Sequence, residues 1–349
     1  MDAIQTTAVV ISHETALRAI RVARRRYSML PWHPLSSSEQ RRVLAACAPN
    51  RTSIDMGALY RAGLWNHHET DYRIDVLTLN AAQKRSHPQV RCHSITQKLP
   101  AGSLLEIEPG IYCVSPALAV TQYAAKHSLG KTVALLQELC GSFSLHEDQD
   151  AGQESSAGEE DIGYYESDPV TCAGELSKHI AKLSHVQGYR QASIAVRFAL
   201  DGARSPGEAI MVSMFHMSFC YGGFNVSNLL LNHKIDFSHI ARAASRMPYA
   251  ICDAYVPDSQ TTLEYNGSYH DQAAARIHDE RRNAGLEAMG VTTLVINREQ
   301  LRDIEALESI AKVLYRRAGK RYQNRTTGRY VKQINLLNEL RAAFGWPKC

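Results

Sequence analysis

Residues 249–270 read YAICDAYVPDSQTTLEYNGSYH, and their punctuation decides how the second half of the chain folds. Tyr249–Tyr255 and Thr261–Tyr265 are short runs rich in β-formers, and Pro257-Asp258-Ser259-Gln260 between them is turn chemistry. Two strands joined by so short a turn lie antiparallel. Asp253 and Glu264 then come close together at the same end of the hairpin. Neighbouring carboxylates cost free energy unless a cation sits between them. A divalent ion answers this need, and oxygen ligands suit Mg²⁺ or Mn²⁺. Glu208 is placed to add a third oxygen directly or through water. The competing expectation is that Asp253 pairs with Arg281 or Arg282 and Glu264 faces solvent on an edge strand.

Working outward, helices are expected over about Thr171–Leu183 and Gln191–Ala203, and a third is opened by Ser205-Pro206, with Glu208 in its first turn. Leu229–Ile235 adds a strand before the hairpin. A polar helix over about His270–Met289, a buried strand over Val291–Ile296 and a helix over Arg298–Arg317 follow it. Helix, three strands, helix, strand, helix is an α/β layout in which helices flank a sheet.

The N-terminal half is also mixed α/β. Thr7–Ile11 reads as a strand, Ser12 as the cap of a helix through Arg24-Arg25-Arg26, and Ser36 with Glu39 as a capping box for the next. A third helix near Asp55–Leu59 makes a helix-turn-helix or winged-helix segment possible. Strands follow at Tyr72–Leu79, Gln89–Ile95 and Leu104–Val114, the last broken by Pro109-Gly110, and helices at Pro116–Ala124 and Lys131–Cys140 close the half. It reads as a recognition or regulatory domain.

Between the halves, Glu147–Asp168 holds nine acidic residues and no Lys or Arg, which is the composition of a linker or a mobile loop. The expected domains are therefore 1–145, an acidic linker at 146–169, and 170–349. Toward the C-terminus Arg316, Arg317, Lys320, Arg321, Arg325, Arg329 and Lys332 alternate with Tyr315, Tyr322 and Tyr330. Such a stretch is either a solvated helix face or a phosphate-tracking surface with stacking aromatics.

The 349 residues allow a core of ordinary size, and no apolar run approaches the ~20 residues of a membrane span. With no signal-peptide pattern, the chain is expected to be cytoplasmic. Its eight cysteines show no CxxC spacing and are expected to be reduced core thiols rather than a disulfide framework or zinc site. The adjacent His67 and His68 point to a loop rather than a shared ligand set.

The ordered set Ser205-Pro206-Gly207-Glu208, Asp253, Glu264-Tyr265-Asn266-Gly267-Ser268-Tyr269-His270 and Asp279-Glu280-Arg281-Arg282 resembles a group of bacterial proteins related to the very-short-patch repair endonucleases. These share the PD-(D/E)XK nuclease-like fold. The resemblance covers roughly residues 190–300. It implies metal-dependent hydrolysis of DNA phosphodiester bonds with Mg²⁺ or Mn²⁺ on Asp253 and Glu264, Glu208 in support, and His270 positioning or deprotonating water or binding a phosphate. Asp279 and Arg282 are spaced to pair on one helix face and orient the site. Where relatives carry Asp, and the wider fold Lys, this chain has Asn266, which opens the alternative of a DNA-binding regulator with a degenerate nuclease-like domain. The N-terminal half, through Ile54–Leu64 and Glu108–Pro116, more weakly resembles antitoxin and regulator proteins of abortive-infection toxin–antitoxin systems, a phage-defence setting.

Overall fold

The computed structural model describes residues 8–27, 30–47, 56–61, 73–79, 89–146, 163–267 and 273–349, with only the backbone of 56 and 273–277. The chain forms two compact units. The first comprises residues 1–132, 144–155 and 165–197, and the second 133–143, 156–164 and 198–349. The expected division at residue 170 is thereby corrected: α6 (Ala173–Ala181) and α7 (Tyr189–Ala195) belong to the first unit. Their buried faces carry Leu176, Ile180, Ala192 and Ala195, and both helices pack on α4 (Pro116–Ala124). The core of 147–162 in the acidic stretch, together with His67 and His68, lies outside the described residues.

The first unit is built on a six-stranded mixed sheet. Its strands are β1 (Val9–Ile11), β2 (His33–Pro34), β3 (Ile74–Thr78), β4 (Val90–Ser94), β5 (Leu104–Glu108) and β6 (Ile111–Val114), in the order β2-β5-β6-β1-β3-β4. β1 runs parallel to β6 and antiparallel to β3, and β3 runs parallel to β4. β5 and β6 form the expected hairpin across Pro109-Gly110, where Gly110 takes a φ of 86° that a side chain would resist. Ser36 caps α2 (Ser37–Ala46) with the expected box, accepting the Glu39 N–H while Glu39 accepts the Ser36 N–H.

Among the described residues the early helices do not make a winged helix. α1 (His13–Arg26) packs on β3, β6 and α4, α2 packs on β1 and β3, and α3 (Met56–Arg61) follows as a six-residue helix. The reason lies in α1 itself, whose apolar stripe of Ala16, Leu17, Ala19, Ile20 and Ala23 is fully buried against the sheet. α5 (Leu129–Cys140) leads into the second unit.

The second unit centres on a four-stranded sheet of β7 (Leu230–Asp236), β8 (Tyr249–Val256), β9 (Thr261–Asn266) and β10 (Thr292–Asn297), in the order β10-β9-β8-β7. β7, β8 and β9 are successively antiparallel, and β10 returns parallel to β9 after α10 (Ala273–Ala288). A parallel return demands such a crossover. α8 (Pro206–His216) is buried along Pro206–Phe215 and packs on α12 (Arg329–Ala343). Phe237, Ala241, Ala250, Cys252, Leu286 and Val291 form a core joining α9 (His239–Ser245), α10 and β8. α11 (Ile304–Arg317) is the expected late helix, whereas α9 and α12 were not anticipated. α12 buries Leu336, Leu337 and Leu340.

All eight cysteines are free thiols, and no described helix is long and apolar enough to cross a membrane.

Candidate functional site

Ser205 caps α8 by accepting the Glu208 N–H at 3.2 Å, and Pro206 stands at the first helical position, where its missing N–H costs nothing. The Glu208 carboxylate turns back over this end, accepting the Ser205 hydroxyl at 3.2 Å and the Arg204 N–H at 2.9 Å. Gly207 makes the approach to β9 possible. A Cβ there would lie 2.0 Å from Cε1 of Tyr265, so the Tyr265 ring lies against the helix start where only a glycine leaves room.

The hairpin places its acids as expected. β8 and β9 pair through Ala254–Leu263, Tyr255–Thr262 and Val256–Thr261, a register that sets Asp253 opposite Glu264. The ladder stops at this point. In its place, Oδ2 of Asp253 accepts the Tyr265 N–H at 2.9 Å. The strands thus part where the carboxylates stand, and an aspartate side chain fills the position of a ladder acceptor.

Burial and mutual repulsion set the electrostatics. Burial, then the charge of Asp253, pushes the Glu208 carboxyl up to about 7. The same two causes push Glu264 up to about 7. Burial also raises Asp253 above the usual carboxylate range, against the opposing Tyr265 N–H and Arg282. Arg282, from α10, is the answering cation. Its Nη2 contacts Oε1 of Glu264, and both side chains are nearly enclosed.

Two expectations are corrected here. Arg282 does not pair with Asp279, which is exposed and faces His278 at 3.9 Å. An i,i+3 pair on an exposed helix face is worth a few tenths of a kcal/mol, and a buried carboxylate competes for the guanidinium more strongly. Nor is Glu264 a solvent-facing residue on an edge strand, because β9 lies between β8 and β10. Asn266 is exposed at the end of β9, in register with Asn297 of β10. His270 lies outside the described residues.

Arg204 was missed as a site residue. It sits directly before the capping serine, and its charge lowers both Glu208 and Asp253. The Ser-Pro start marks where the helix begins, and hence where the preceding residue points its N–H.

Hard carboxylate oxygens on parted strands fit a divalent cation in chemistry, with Asp253 and Glu264 as the holding pair. Glu208 has both oxygens engaged and acts on the pair through its charge. Among the described residues no group of three or more His, Cys, Asp or Glu side chains is arranged to hold a metal.

Arg316, Arg317, Lys320, Arg321, Arg325, Arg329 and Lys332 are all exposed, along the end of α11, the following link and the start of α12. Arg317 and Lys320 are also tied to the hairpin turn, Arg317 through Ser259 O and Thr261 Oγ1 and Lys320 through Asp258. Tyr315 and Tyr322 are not free stacking platforms. They pack with Phe219, and the Tyr315 hydroxyl donates to Asn225 O at 2.8 Å, while Tyr330 is exposed.

No protein-family model matches the chain, and no curated protein or solved structure is significantly similar to it.

Proposed function

We propose that the second unit is a divalent-metal-dependent phosphodiesterase of the PD-(D/E)XK nuclease-like class, acting on DNA. The observation that carries this reading is the hairpin parted at Asp253 and Glu264, with Glu208 brought in by the helix before it and a β-α-β return after it. Asp253 and Glu264 are the residues that would hold Mg²⁺ or Mn²⁺. Such an ion, when bound, polarises a phosphodiester and lowers the pKa of a water molecule.

The chain's own groups do the rest. The Tyr265 N–H fixes the Asp253 carboxylate, leaving Oδ1 with no hydrogen bond among the described residues. Arg282 orients Glu264 and brings a guanidinium to the place where a phosphate's negative charge would lie. Glu208 adds negative charge beside Asp253 and so favours a cation between the acids. His270 is assigned the proton-handling role. The basic residues between Arg316 and Lys332 would follow the DNA backbone, and their contribution would weaken with salt. The same reading assigns the protein to the bacterial cytoplasm and gives the first unit a recognition or regulatory task.

Two features of the site favour a second reading, a non-catalytic DNA-binding regulator. Arg282 already supplies Glu264 with a cation, and Asn266 brings no charge. Supercoiled plasmid incubated with the protein and Mg²⁺ or Mn²⁺ tests between them, beside EDTA and Glu264→Ala controls. Nicking that requires metal and Glu264 supports the enzyme. DNA binding without nicking, and with no heat of Mn²⁺ binding in calorimetry, supports the regulator and overturns the nuclease reading.

A further inference from the structure

The first unit contains a second cluster of titratable groups, none of them used above. Asp75 stands on β3, an interior strand buried along its whole length, and is itself 1% exposed. Its main chain is fully engaged: the N–H donates to Thr15 Oγ1 at 2.8 Å and the carbonyl accepts the Ser12 N–H at 2.9 Å. Its side chain takes partners from β4. Oδ1 lies 2.7 Å from Nε2 of His93 and 3.5 Å from Nη1 of Arg91.

Burying a carboxylate is unfavourable unless partners answer its charge. Here it is surrounded by groups that reach the surface, His93 partly and Arg91 by half its side-chain area. With Nε2 of His93 turned to the carboxylate, Nδ1 is directed away from it.

His13 completes the cluster. It opens α1 at φ 52°, a left-handed conformation that costs a histidine about 1 kcal/mol or more and that glycine would adopt freely. Its ring stacks on that of His93, with centroids 3.7 Å apart and planes inclined by 24°. The main-chain N–H of His13 donates to Gln122 Oε1 at 3.1 Å, and its Nδ1 lies 2.9 Å from Ser12 Oγ. Burial, then the nearness of His93, pushes His13 down to about 3, so it is a neutral stacking partner. Lys126 also lies within electrostatic reach. Rings this nearly parallel share no point lying in both planes within bonding distance, so they cannot chelate one metal ion.

One buried carboxylate thus holds an imidazole and a guanidinium that both reach the surface, with Lys126 within electrostatic reach of His13. We propose that His93, Arg91 and the stacked His13, anchored on Asp75, form a binding site for the phosphate group of a phosphate ester. Asp75 orients His93. Arg91 offers the forked donor that phosphate geometry matches, and His13 shields one face of the imidazole from water. This site does not depend on the nuclease reading, because every residue in it belongs to the first unit.

The test follows the histidine Cε1–H signals of the full chain by NMR while inorganic phosphate, thymidine monophosphate and a short oligothymidylate are added in turn. Saturable shifts at His93 and His13 are expected with each probe. Arg91→Gln should weaken phosphate about tenfold. Arg91 is half exposed, so this variant should stay folded, with an unfolding midpoint close to that of wild type. His93→Gln, which keeps a donor toward Asp75, should weaken phosphate as well. Tighter binding of the oligonucleotide than of the mononucleotide would identify nucleic-acid backbone as the source of the phosphate, and equal binding a small ester. The absence of saturable shifts, or shifts of equal affinity in wild type and Arg91→Gln, would overturn the proposal.

Discussion

Asp75 and Asp253 both lie on interior strands, one in each unit, and their charges are answered in opposite ways. Asp75 is a single acid with His93 and Arg91 beside it. Asp253 is tied to a backbone N–H and shares its surroundings with Glu208 and Glu264, so three acids face Arg282 and Arg204. The first arrangement has hydrogen-bond donors that reach the surface to offer a ligand. The second gains a negative surplus once Glu208 and Glu264 ionise above about pH 7, which a cation from outside would offset. Where a chain buries charge without balancing it, the deficit indicates what the site would bind.

The largest expected effect tests the negative side of this contrast. Asp253→Asn or Glu264→Ala should bring metal-dependent nicking down to the EDTA control, whereas Asp75→Asn should leave nicking intact. A nicking loss of equal size in Asp75→Asn would erase the distinction between the two aspartates.

The next effect is on stability against pH. Glu208 and Glu264 ionise near 4.5 when unfolded and near 7 when folded, so between these values the folded state holds protons that the unfolded state has lost. The contribution of these two carboxyls to the stability of the second unit is therefore full below about pH 4.5 and is lost as pH rises through about 7. For one such carboxyl the loss is on the order of 3 kcal/mol. Added Mn²⁺ should restore part of it at high pH. Hydrogen exchange followed by mass spectrometry on peptides of β8 and β9 would measure this, and protection that rises with pH would contradict it.

Removal of each region's arginine sharpens the contrast. Arg282→Gln leaves Glu264 enclosed without its cation and should cost about 3 kcal/mol in urea unfolding. Arg91→Gln, at 3.5 Å and half exposed, should cost less than about 1 kcal/mol. Equal losses would mean that burial does not govern the difference.

Two smaller effects probe the frames that hold the sites. Gly207→Ala drives a methyl group into the Tyr265 ring and should destabilise the second unit by about 2 kcal/mol. Ser36→Ala removes the capping box of α2 and should cost the first unit about 1 kcal/mol. Both are measurable as shifts of the urea midpoint at constant slope.

Much of this was legible along the chain because it depends on near neighbours. The turn Pro257–Gln260 between two strand-forming runs implied the hairpin, and the hairpin implied that Asp253 and Glu264 meet. Ser205-Pro206 and Ser36 with Glu39 marked helix starts that the structure has. Other features left no local mark. α12 looked like a basic tail because Arg329 and Lys332 lead it, while the leucines that bury it come later in the helix. α9 is only seven residues long and was hidden between two strands. His13, His93 and Asp75 come from three separate segments, and nothing in any one of them points to the others.

The sequence by itself determined most of the helices and strands, the antiparallel hairpin and the adjacency of its two acids, since turn chemistry, capping and alternation act over a few residues. Only the tertiary structure decided which cation answers Glu264, that the hairpin parts at the acids, that α1 covers a sheet, and that α6 and α7 belong to the first unit. These outcomes turn on burial. Arg282 could meet Asp279 in water for little gain, but it meets Glu264 because a carboxylate removed from water needs a cation at its side.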